Sequence, residues 1–118
     1  MKAITICQPY AQLIAAGAKR VENRTWPTSY RGPIAIHAGK SKEWLDDPAD
    51  ADVFVFGAVV ALADLVGCKR VEELTGAWRE HHHSTGPWCW MLSNVRRVGP
   101  VPFKGAQGLW EIPDAVVR

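Results

Sequence analysis

Glycine and proline punctuate this chain so closely that few of its apolar stretches can run beyond strand length, and that spacing decides between fold classes. Ten glycines and eight prolines fall among 118 residues. Only one segment carries clear helical spacing. Tyr10, Leu13 and Ile14 recur with the period of a helix face, Pro9 stands where a first helical turn tolerates a missing N–H, and Gly17 sits at the position of a C-terminal cap.

The remaining segments read as strands and loops. Residues 3–7 alternate, with Ile4 and Ile6 on one face. Residues 19–26 are extended, which places Glu22, Arg24 and Trp26 on one face and Val21, Asn23 and Thr25 on the other. A turn-rich loop at 27–32 leads to a strand over 33–38, with Ile34 and Ile36 toward the core and His37 opposite. Residues 39–52 are polar and end in an acidic run, the pattern of a short helix and a solvated loop. Residues 53–66 are apolar on both faces, as in a buried strand, with Gly57 permitting a bend. A helical turn is expected within 71–79, a tryptophan-rich strand over 87–98 and a last short strand over 109–112. This is one domain over residues 1–118, mainly β with short helices (α+β). Its about five or six strands, with a helix after the first, predict a small β-barrel rather than a doubly wound sheet.

Composition narrows the setting. Cys7, Cys68 and Cys89 are an odd set without paired spacing, which argues against a disulfide framework and for a reducing, cytoplasmic location. The N-terminal apolar run is too short for a signal peptide, and the longest apolar stretch falls well below the roughly 18 residues of a membrane helix. The net charge of +2 is unevenly spread: residues 1–40 carry +5, residues 41–80 carry −5 and residues 81–118 carry +2. An anionic partner would therefore meet the N-terminal third.

The densest information lies in residues 8–38. Gly17, Lys19, Glu22 and Arg24 form a Gly-x-Lys-x-x-Glu-x-Arg stretch after the first helix, followed by Tyr30-Arg31-Gly32-Pro33 and Ile36-His37-Ala38. Here the chain resembles the ASCH domain family, in its bacterial or phage single-domain form. Phe103-Lys104-Gly105 and Gly108-Leu109-Trp110 are similar to that family's closing strand. The resemblance implies a PUA-like barrel with a cleft beside the first helix that takes RNA or a nucleotide-like ligand. Some relatives are amidohydrolases acting on acetylated cytidine, and others are reported as ribonucleases.

The residues support a binding reading in their own chemistry. Arg24 offers forked donors to a phosphate or a base edge, Lys19 a point charge, and Glu22 an acceptor or a base. Trp26 and Tyr30 offer stacking faces. Arg31, His37 and Lys104 complete the expected ligand-contacting set. Were the chain an enzyme, Lys19 and Glu22 would be its catalytic pair. The amidohydrolase relatives, however, carry threonine where this chain has Glu22. Two other readings stand beside these: a structural Glu22–Arg24 ion pair closing the barrel, and an interaction or regulatory domain whose cleft holds a peptide or a small ligand. His81-His82-His83 lacks metal-ligand spacing, and no metal or cofactor is expected.

Overall fold

The structure is a computed structural model that describes residues 1–117. Six strands form one sheet in the order β2-β5-β4-β3-β1-β6. These are β1 (Lys2–Ile6), β2 (Val21–Arg24), β3 (Gly32–Ala38), β4 (Ala58–Arg70), β5 (Trp88–Pro102) and β6 (Leu109–Glu111). Three short helices accompany them: α1 (Tyr10–Ala15), α2 (Gly76–Glu80) and α3 (Asp114–Val117).

The long β4–β5 pair is the spine. Its antiparallel register shifts three times, between Val59 and Ala61, Leu62 and Asp64, and Leu65 and Gly67. Such irregularities bend a strand and increase its twist, and here they curl the sheet into a half-barrel. β4 begins at Ala58, later than the expected 53, and runs on to Arg70, because Lys69 and Arg70 remain in the ladder opposite Cys89 and Trp88. The helix expected within 39–52 is a 3-10 turn at Pro48–Val53, started by Asp47 Oδ1, which accepts from the Ala49 N–H at 2.9 Å.

Both faces of the sheet are covered. On the concave face Ile4, Ile6, Ile34, Ile36, Leu65 and Trp90 pack beneath Ala11 and Ile14 of α1. On the other face Ala3, Ala35, Val59 and Ile112 pack with Val117 of α3. β3 is therefore buried on both sides, from Ile34 to Ala38. This changes the position of His37. Alternation places it opposite Ile36, as expected, but that face holds a second core, and His37 is only 2% exposed.

A chain of hydrogen bonds accounts for a buried imidazole there. The Phe103 carbonyl can only accept, so His37 Nε2 carries the hydrogen and donates across 2.7 Å. His37 Nδ1 then accepts from the Thr5 hydroxyl at 3.2 Å, and Thr5 Oγ1 accepts from Trp110 Nε1 at 3.1 Å. Gly105 closes over this group. A Cβ at that position would lie 2.6 Å from His37 Cε1 and 2.7 Å from Thr5 Oγ1. Gly105→Ala should therefore destabilise the fold by about 1–3 kcal/mol in denaturant unfolding. Gly99→Ala, where a Cβ meets nothing within 4 Å, should leave the midpoint nearly unchanged.

Candidate functional site

The site begins where α1 stops. Gly17 adopts φ +81°, and the N–H groups of Ala18 and Lys19 both donate to the Leu13 carbonyl. This left-handed cap reverses the chain and turns Lys19 inward. Its ammonium group is almost fully enclosed, donating to the Val21 carbonyl and, at 3.0 Å, to Glu22 Oε1. It also lies 5.7 Å from the centre of the Tyr10 ring. Lys19 thus belongs to the floor of the site and does not project from it as a solvated cation.

Glu22 divides its carboxylate between two cations. Oε2 stands 3.0 Å from Arg24 Nε, an ion-pair approach that lacks the alignment of a hydrogen bond and leaves the buried Nε without a hydrogen-bond acceptor. Arg24 Nη2 donates to the Thr5 carbonyl at 2.8 Å. β2 is an edge strand and β1 lies four places away in the sheet order. The Arg24–Thr5 contact therefore joins regions that share no backbone ladder.

Above this group opens a cleft of about 680 Å³. The end of β1 and the start of α1 form one wall, with Cys7 and Tyr10, and β2 forms another, with Glu22, Asn23 and Arg24. Lys40 and Trp44 approach from the loop after β3, and His83 from the loop before β5. Lys19, Arg24 and Lys40 against Glu22 alone leave the cleft with a surplus of two positive charges. Trp44 is 55% exposed at the rim. Burial, reinforced by the Glu22 carboxylate, pushes the Cys7 thiol above its ordinary range, which disfavours the reactive thiolate.

Asn23 anchors the histidine loop. Its Nδ2 donates to the His83 carbonyl at 2.8 Å, and its Oδ1 accepts from the N–H groups of Thr85 and Gly86. His81 Nε2 accepts from the Arg20 N–H at 3.0 Å. Burial first, and then neighbouring His82, holds the His81 and His83 pKa values below the usual 6.5.

The structure brings Lys19, Glu22 and Arg24 together. Trp26 lies beside them in a second, adjoining cleft, with its ring set edge-on against Trp90 at 4.8 Å. The other expected contacts line neither cleft. The Tyr30 hydroxyl donates to the Pro33 carbonyl, and Arg31 bonds to the Thr28 and Tyr30 carbonyls. His37 is enclosed in the second core, and Lys104 is exposed on the loop that covers it. Trp44, Lys40 and Asn23 are cleft residues that sequence reasoning does not single out. A lone tryptophan in an otherwise polar loop is the available signal for Trp44.

The chain is a curled six-stranded sheet with an ion cluster beside its first helix. The ASCH domain model matches residues 4–102, and the chain belongs to that family. It is similar to the crystal structure of ASCH from Zymomonas mobilis, with a TM-score of 0.61 at 17% identity, covering 98% of this chain and 89% of that one. A tyrosine-to-phenylalanine mutant of the Zymomonas mobilis protein gives a TM-score of 0.60 at 18% identity, covering 98% and 91%. Human "Activating signal cointegrator 1" is 22% identical over 130 residues, covering 96% of this chain. The chain spans only 22% of that longer protein.

Two measurements test the site's construction. Glu22→Ala would leave Lys19 buried beside Arg24 without a counter-charge, and should cost about 3–5 kcal/mol of stability in denaturant unfolding. Folding favours the uncharged form of His81, so its contribution is present above about pH 6.5 and fades as the pH falls below that value. An NMR titration should give His81 a midpoint below 6.5, the usual value for imidazole.

Proposed function

We propose that this domain binds RNA or a nucleotide-like ligand in the cleft above Lys19, Glu22 and Arg24. The observation that carries the reading is the charge and ring content of that cleft: three cations against one carboxylate, with Trp44 half-exposed at the rim. Cations attract the phosphate, and an exposed indole offers a face to a base whatever its identity. Glu22, already holding Lys19 in place, can accept from an exocyclic amine. RNA binding is the role generally proposed for ASCH domains, which supports the same conclusion.

The cleft is less suited to amidohydrolysis. Lys19 Nζ is buried and donates to the Val21 carbonyl and Glu22, so the protein's own acceptors, and not a substrate, fix its position. Glu22 also supplies no hydroxyl where the amidohydrolase relatives have threonine.

Binding of single-stranded RNA oligonucleotides, followed by fluorescence anisotropy, tests the proposal. Log affinity should fall with log salt at a slope of about −1 to −2, as expected when two or so phosphates are neutralised. Trp44→Ala should cost about 1–3 kcal/mol, the worth of one stacked base. Lys40→Glu should weaken binding at every sequence tested. Affinity indifferent to salt and to both substitutions would sink the proposal.

A further inference from the structure

Arg24 faces two clefts. The second holds about 620 Å³ and is lined by Thr5, Arg24, Trp26, Ala106, Gln107 and Gly108. Thr5 and Arg24 line the first as well, so the two spaces meet at a wall made by one guanidinium and one threonine. Each volume falls within the range of a site for a single small ligand.

The guanidinium is only partly committed. Nη2 is held by the Thr5 carbonyl and Nε faces Glu22, while Nη1 has no hydrogen-bond partner among the described residues. A fixed guanidinium with a free nitrogen, at the junction of two clefts, suits a phosphodiester that passes from one to the other. Beyond it, the second cleft has the chemistry of a base site. Trp26 is half-buried, and its indole N–H has no acceptor among the described residues. Gln107 is exposed and carries both amide donors and an acceptor. Ala106 and Gly108 on either side add almost no side-chain bulk.

We propose that the second cleft is a distinct nucleotide subsite, and that the unit bound is at least a dinucleotide with its linking phosphate on Arg24. This rests on the reading of the first cleft as a nucleotide site and goes beyond it. One base occupies the space beneath Trp44. The next packs beside Trp26, and Gln107 reads its edge. Ligand length is therefore measured by the protein: a mononucleotide fills half the site.

The test compares a nucleoside 5′-monophosphate, the corresponding diribonucleoside monophosphate and a ten-residue single-stranded RNA, each titrated calorimetrically against the whole chain. The dinucleotide should bind at least about tenfold more tightly than the mononucleotide. Ala106→Glu, which places bulk and negative charge in the second cleft, should abolish that advantage, and Gln107→Ala should reduce it about fivefold. Both positions are exposed and outside the packed clusters, and mononucleotide affinity on the same variants reports whether the first cleft is intact. Equal affinity for mono- and dinucleotide in the unaltered protein overturns the second subsite and leaves the first standing. An advantage that survives Ala106→Glu also overturns it. Failure of all three probes to bind overturns both readings.

Discussion

Glu22 holds two cations with one carboxylate, and the shape of the cleft end of the molecule follows from that sharing. Lys19 sits on Oε1 and Arg24 on Oε2, each at 3.0 Å. Taking three charges out of water is expensive, and a buried ion cluster is tolerated only where geometry and further hydrogen bonds compensate. Here the Val21 carbonyl takes a second bond from Lys19 and the Thr5 carbonyl takes one from Arg24. Two cations against one anion leave the group with one positive charge in excess, inside a cleft. The geometry that ties β2 to the end of β1 thus also leaves charge uncompensated. The Glu22–Arg24 ion pair expected as one reading of the sequence is present, with Lys19 as a third member.

The helix cap is what makes this arrangement reachable. Without the reversal at Gly17, Lys19 would continue outward along the axis of α1 and the carboxylate would face Arg24 alone. The turn is short, with the Ala18 and Lys19 N–H groups sharing the Leu13 carbonyl. At the other end of α1, buried Gln8 accepts from the Gln12 N–H and donates to the Val55 carbonyl. Both ends of a six-residue helix are thus fastened, which matters because a helix this short has little stability of its own.

Much of this is legible in the sequence, and the reasons for the rest are physical. The Gly17, Lys19, Glu22 and Arg24 stretch points to the cleft through its resemblance to the ASCH family, and a cap at Gly17 followed by a two-residue strand period is consistent with where the structure places these residues. The mainly β architecture follows from strand-length apolar runs. His37 is harder. Alternation tells which residues share a face, but cannot distinguish solvent from a second core, and the small residues Ala3 and Ala35 give that core a weak hydrophobic signature. Tyr30, Arg31 and Lys104 have the right chemistry for a ligand, yet the first two satisfy local carbonyls. Trp44 and Lys40 reach the cleft through a loop whose path depends on long-range packing, and no local pattern reports that path. The ends of β4 and β5 escape sequence reading for a related reason: polar residues such as Lys69 stay in a ladder when a partner strand continues beside them.

The contact between β1 and β2 has a different character from the joins within the sheet. Every junction along the sheet is a backbone ladder, whereas β1 and β2 are linked by a guanidinium that reaches the Thr5 carbonyl. Ladders part cooperatively, many bonds at a time, while a side chain can swing away alone, and local openings draw on the least cooperative part of a structure. Both clefts lie beside this side-chain contact. That one side-chain contact is shared by the walls of both clefts, so the two spaces are divided by a group that no ladder holds in place.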